Sequence, residues 1–239
     1  MNMFTFVGPP PPPLALNKAE RTRERILQTA LTLFRTNGYE STTLRQIAAE
    51  SGSSIGLAYR YFSCKEEFVL AFYETLAGQF IEQIPSLPQA KIAQRFTTAM
   101  NLKLALIEPH NELIGVLLAS ALNPNSRIAV LGQASANIRL RMQAAFAKLV
   151  SESEDAPDPA TSAALAKLLY VSHLALLYFR VNDRTSGGRA TRELIALLET
   201  AISYLPLISQ VPFFSQALLK LAATLDTVFG GGTDEHTAK

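Results

Sequence analysis

The chain has 239 residues, 48% of them hydrophobic, enough for one large domain or for a small and a medium one with separate cores. Its net charge of +2 argues neither for nor against a nucleic-acid partner. One cysteine excludes an internal disulfide framework and makes a reducing cytoplasm the simplest setting, while three histidines and that cysteine form no set at metal-ligand spacing.

Residues 1–17, MNMFTFVGPPPPPLALN, lack the positive start of a signal peptide, and the prolines from Pro9 to Pro13 favour an extended tail. The first helix follows. Ile26, Ala30, Leu33 and Phe34 form one apolar stripe, and Gly38 is expected to close the helix in a left-handed conformation, with Tyr39 folding back on the base. Thr42 or Thr43 can cap a second helix; Gln46 lies at capping-box spacing from Thr43, and Leu44, Ile47 and Ala48 supply an inner face that ends at Gly52. A third helix begins near Ser53 and Ser54 and runs to Tyr61. It is too short to stand alone, and Gly56 inside it costs roughly 1 kcal/mol relative to Ala, which points to close approach by another backbone or by DNA. Phe62 is expected to plug into the core, and Ser63 to cap a fourth helix opened by Glu66 and Glu67. A tight turn between the second and third helices leaves the third standing out from a helical base. A rod about 10–12 Å across fits the major groove of B-DNA. Residues 18–65 carry eight Lys/Arg against four Glu, a local excess of +4 suited to phosphate contact.

Strand-like alternation is absent, so the class is all-α. Residues 64–83 read as one helix ending before Pro85, and Pro88 as the start of another reaching Ile107. Asn111 to Leu122, Ser126 to Val150, Ala160 to Val181, and stretches near 189–205 and 212–229 complete the helices. Ala160–Val181 is apolar nearly all round and so needs cover on nearly every side, from its own core and from a second subunit. The C-terminal helices are therefore expected to build a two-fold homodimer interface. Thr200 to Leu219 is uncharged and long enough to span a bilayer, but Pro206 and Pro212 make two helices meeting at a turn the better reading, and no membrane partner is expected.

The segment from Arg25 to Phe72 resembles the TetR/AcrR family of bacterial transcriptional regulators through IL-x-x-A-x-x-LF-x-x-x-GY-x-x-TT-x-x-x-IA followed by SG-x-S-x-G-x-x-Y-x-YF-x-x-KE. Three positions depart from the family pattern: Ser53 replaces a small apolar residue in the turn, Ala58 a leucine, and Cys64 a serine. The resemblance implies a three-helix helix-turn-helix domain at 18–64 and a larger helical effector-binding and dimerisation domain at 65–229, with a tail at 230–239. It implies that Thr43, Tyr59, Tyr61 and Lys65 hold phosphates. Arg45, Ile55 and Leu57 are the candidates for base edges, with Ser54 and Arg60 on the same surface. Packing against the first helix is an equal alternative for Tyr59, and a solvated charge for Arg60; for Lys18 and Arg21 a solvated charge is the plainer reading. The partner is then a palindromic double-stranded operator.

The resemblance also implies a ligand pocket among the central helices. Candidates there are Phe96, Met100, Leu104, Asn101 and Asn137, together with Arg141, Tyr170 and His173, for a hydrophobic small-molecule effector. A core or interface histidine is the plainer reading of His173, and a small substitute for serine the plainer reading of Cys64 over a redox sensor. The expected function is a dimeric, effector-controlled transcriptional regulator, a repressor more often than an activator. A helical ligand-binding or scaffold dimer without DNA binding is the alternative. No glycine-rich phosphate loop, nucleophile–base set or paired acid motif stands out, so neither an enzyme nor a cofactor or metal is expected.

Overall fold

The computed structural model describes residues 17–205 and 212–229. These form ten α-helices, with no strand among the described residues: α1 (Lys18–Asn37), α2 (Leu44–Glu50), α3 (Ile55–Tyr61), α4 (Lys65–Gln83), α5 (Ile92–Ile107), α6 (Asn111–Leu122), α7 (Ala136–Ser151), α8 (Pro159–Asn182), α9 (Arg189–Ser203) and α10 (Pro212–Phe229). The proline-rich segment, Pro206 and the C-terminal tail lie outside the described residues.

Helix boundaries follow local chemistry. Asn17 caps α1 in a reciprocal box with Glu20, and Thr43 does the same for α2 with Gln46. Thr42 is buried instead, its hydroxyl donating to the Gly38 carbonyl at 2.8 Å. Gly38 has φ 85° but ψ 150°, so it leaves α1 through an extended, glycine-only conformation rather than the expected left-handed cap. The residue that caps α4 by backbone geometry is Cys64, not Ser63. Ser63 reaches forward, its amide and hydroxyl both donating to the Glu67 carboxylate at 2.7 Å.

Two starts come later than the sequence predicts. Pro88 does not open α5; that helix begins at Ile92, whose amide donates to Asp155 in the acidic loop at 2.7 Å. The stretch expected as one helix from Ser126 is a string of turns up to Ser135. These turns satisfy their own backbone through Val130 N–H on Ala121 O (2.9 Å) and Ser135 Oγ–H on Ala129 O (2.8 Å).

Two apolar cores stack along the chain. The first unites Ile26, Ala30 and Phe34 of α1 with Ile47, Phe62 and Phe68. Phe62 and Phe68 stack at 4.0 Å between centroids, and Tyr39 meets Phe34 edge-on at 5.1 Å. The second is built by α5, α7, α8 and α9 around Phe80, Phe96 and Phe146. Helix α4 belongs to both: Phe68, Val69 and Phe72 lie in the first, Ala77 and Phe80 in the second.

Helix α8 is long and apolar enough to cross a membrane by composition, with mean hydropathy 1.4. It is nonetheless the central strut of the second core, packed against α7, α10, α6, α9 and α5. Its cover thus comes from five helices of its own chain, while much of its surface stays open. Exposed large apolar side chains concentrate farther along, at Tyr178 and Phe179 of α8, Leu197 of α9, and Phe213 and Phe214 of α10.

Candidate functional site

The short helix α3 is held from below. Ala58 is fully buried, Phe62 is 1% exposed, and Tyr61 packs half-buried against the first core. The turn that positions α3 needs Gly52, whose φ of +62° disfavours any side chain. Arg25 of α1 then clamps that turn, donating to the Ser51 carbonyl and, at 3.4 Å, to the Ser53 hydroxyl. Ser53, the departure in the turn, thereby takes a polar role that a small apolar residue could not. Arg23 stacks its guanidinium 4.8 Å from the Phe62 ring centre. Neither arginine was singled out from sequence; their spacing on α1 places them beside the turn, a signal visible only once the helices are docked.

The opposite side of α3 is open. Ser54, Ile55, Gly56, Tyr59 and Arg60 are exposed and Leu57 half-buried. Tyr59 is 53% exposed and is not among the side chains packed on the first core. A Cβ built on Gly56 would meet nothing within 4 Å. Close approach within the chain is therefore not what Gly56 provides. Thr43 and Arg45 are exposed on neighbouring α2, and Arg45 and Arg60 make no ion pair among the described residues. Lys65 sits differently. Its ammonium donates to the Tyr39 and Glu40 carbonyls at 2.7 and 3.2 Å and lies 4.3 Å from the Tyr39 ring centre. It already closes the α1–α2 connection. Cys64 is half-buried beside it.

A cavity of about 520 Å³ opens among α4, α5, α6, α7 and α8. Of the residues expected to line a pocket, Tyr170 and His173 do so. Phe96 and Met100 are instead sealed in the second core, 0% and 1% exposed, and Leu104 packs half-buried between the cores. Asn101, Asn137 and Arg141 point outward; Arg141 forms an ion pair with Glu74. Along α5 and α7 the polar residues facing inward are two positions away: Lys103, 5% exposed, and Arg139, 4% exposed. The apolar walls come from Ile114 and Leu118 of α6, Ile138 and Met142 of α7, and Val171 and Leu174 of α8. Lys103 donates to the Leu76 carbonyl at 3.3 Å, and Arg139 donates to the carbonyls of Val130 and Gly132, both at 3.2 Å. Burial pulls the Lys103 ammonium down to about 8, pushes the Tyr73 and Tyr170 phenols up to about 12, and, with Lys103 nearby, pulls His173 down to about 3.

A helix-turn-helix module, its recognition helix facing outward, joined through a shared helix to an all-α domain with an interior cavity: that arrangement defines a DNA-binding regulator fold. Residues 26–72 match the family described as "Bacterial regulatory proteins, tetR family". It is 35% identical over 66 residues to the HTH-type transcriptional regulator HbdR of Aromatoleum sp. (strain CIB). That match covers 28% of this chain and 29% of the relative. The whole fold is shared more widely. A TetR transcriptional regulator from Nitrosomonas europaea superposes with TM-score 0.59 at 18% identity, covering 77% of this chain and 99% of the other. A putative TetR-family regulator from Syntrophomonas wolfei does so with TM-score 0.59 at 21% identity, covering 80% and 97%.

Proposed function

We propose that this protein is a homodimeric repressor that binds a palindromic operator through α3 and releases it when a small molecule fills the interior cavity. The observation that carries the DNA-binding part is the exposed face of α3. Ile55, Tyr59 and Arg60 are exposed beside a bare Gly56, on a helix whose other face is closed by buried Ala58 and half-buried Leu57 and Tyr61. A helix seven residues long with that arrangement is held by its neighbours in order to be read by something outside. Ser54 and Ile55 then approach base edges with Arg45, while Thr43 and Tyr59 meet phosphates. Leu57 and Tyr61, half-buried, add a smaller surface, and Lys65 contributes mainly by holding the module's shape.

Helices α6 and α4 offer the route from cavity to DNA. On α6, Leu113 and Leu117 belong to the core shared with α1, while Ile114, Leu118 and Ala121 line the cavity. On α4, Phe72 faces the first core and Tyr73 and Ala77 the cavity. A molecule that binds better to one placement of these helices shifts the spacing of the two recognition helices by population shift. Dimerisation through the apolar surfaces of α8, α9 and α10 supplies the second recognition helix.

Fluorescence anisotropy on inverted-repeat DNA taken from upstream of the encoding gene tests this. Sequence-selective affinity should fall steeply between about 50 and 200 mM salt, as phosphate contacts demand. Tyr59→Ala should weaken operator binding with the dimer intact. A scaffold dimer would show no selective binding and no effect of Tyr59→Ala, and that result would overturn the proposal.

A further inference from the structure

Among the described residues, cations and no acid line the cavity: Lys103 reaches it from α5 and Arg139 from α7, with no Asp or Glu beside them. Lys103 donates to the Leu76 carbonyl at 3.3 Å and lies 5.2 Å from the Phe80 ring centre; it forms no ion pair among the described residues. Arg139, by contrast, is anchored on two backbone carbonyls. Beside Lys103, His173 is 3% exposed; its ring meets the Tyr170 backbone only weakly, and neither buried ring nitrogen makes a hydrogen bond of normal geometry. Its ring is wedged among Phe80, Phe146 and Tyr170, with centroids at 6.2, 5.2 and 5.9 Å.

A buried ammonium without a counter-ion and a buried imidazole without a hydrogen bond of normal geometry are both costly to leave unsatisfied. Ordinary core packing would have replaced both with apolar groups. An acceptor arriving from outside satisfies both at once: the Lys103 ammonium supplies charge, and the neutral imidazole of His173 donates one N–H. The remaining walls, from Ile114, Leu118, Ile138, Met142, Val171 and Leu174, accept only an apolar body.

We propose that the cavity binds an amphipathic organic anion, a carboxylate on an apolar chain or ring system, with its head group between Lys103 and His173 and its body along α6 and α8. This rests on the reading of the cavity as the effector site but concerns the ligand's charge, which that reading leaves open.

The test is isothermal titration calorimetry of the full chain, which has no tryptophan to report binding, with dodecanoate, dodecanol and dodecyltrimethylammonium below their micelle concentrations. Dodecanoate should bind about tenfold or more tighter than dodecanol, and the cation not measurably. Lys103→Met should erase most of the preference for the anion while leaving dodecanol binding equal or tighter, which also shows that the variant is folded. Equal affinity for dodecanoate and dodecanol, binding of neither, or undiminished dodecanoate binding by Lys103→Met overturns the inference. Operator release is read separately by anisotropy. Charge-selective binding that leaves operator affinity unchanged upholds the anion site and overturns the effector reading. Release by dodecanol as readily as by dodecanoate does the reverse.

Discussion

The guanidinium of Arg25 and the missing side chain of Gly56 divide the work of the helix-turn-helix between them. Arg25 holds the turn from inside, so Arg25→Met should destabilise the module by about 1 kcal/mol or more, the worth of one charge-assisted hydrogen bond, and lower the thermal midpoint. Gly56 holds nothing inside: a Cβ there has open space. Gly56→Ala should therefore raise the stability of α3 by up to about 1 kcal/mol while weakening operator binding, a combination that thermal melting and anisotropy together detect. Unchanged operator affinity would show that DNA does not approach that backbone. In the cavity, Lys103 is the group that titrates near neutrality. His173 is pulled down to about 3, and Tyr73 and Tyr170 are pushed up to about 12. A bound anion stabilises the protonated amine, so its affinity is full below the free-state value of about 8 and falls as pH rises through it. Calorimetry with dodecanoate between pH 7 and 9 should show that decline, and dodecanol should not.

Among the elements, the α8–α9 connection depends on one carboxylate. Asp183 accepts from the amide and hydroxyl of Thr185 at 2.9 and 2.6 Å, and from those of Thr191 at 2.8 and 2.6 Å. These bonds hold its carboxyl well below the usual range. A depressed carboxylate contributes stability that is present above the ordinary value and is lost as pH falls through the folded one. Asp183→Asn should lower the thermal midpoint at pH 7 and remove part of the wild-type protein's loss of stability toward acid. Helix α4 shows a different dependence. Its start follows directly on α3, and its length spans both cores, so any tilt of α4 must move the recognition helix. The Thr43–Gln46 cap was readable from residue order because it is a local pair; the equally local Asn17–Glu20 box was not singled out, and the α4 cap falls on Cys64 and not on Ser63. The start of α7 was not readable, because the turns before it are held by a backbone bond from Val130 back to Ala121 in α6 and by the Ser135 hydroxyl on Ala129, neither of which leaves a helical or capping pattern in the residues.

For the whole molecule, the exposed apolar side chains of α8, α9 and α10 bear on assembly. Phe213 is 75% exposed and Leu197 66%, high values for side chains of that size. Charging them in a Leu197→Glu, Phe213→Glu double variant should shift sedimentation from dimer to monomer. Operator affinity should fall with it, because one recognition helix reads only half a palindrome. A variant that sediments like the parent would place the interface elsewhere.

Sequence alone determined the class of this protein, since the signals for it are short-range: apolar stripes at helical spacing, caps three residues apart, a glycine turn and a family string within Arg25–Phe72. Much of the exposed face of α3 was legible for the same reason, Tyr59 and Arg60 lying on the side of a short helix opposite Ala58 and Phe62. The cavity was not. Asn101 and Arg141 looked like interior polar groups, yet the positions facing the cavity are Lys103 on α5 and Arg139 on α7: α7 interleaves Ile138, Leu140 and Met142 with Asn137, Arg139 and Arg141, and α5 flanks Lys103 with Leu102 and Leu104, so no single stripe sets the rotation of either helix. Only the docking of α4, α5, α6, α7 and α8 around a space decided which charged side chains face it, and the burial of Lys103 with no ion pair among the described residues is what gives that position meaning.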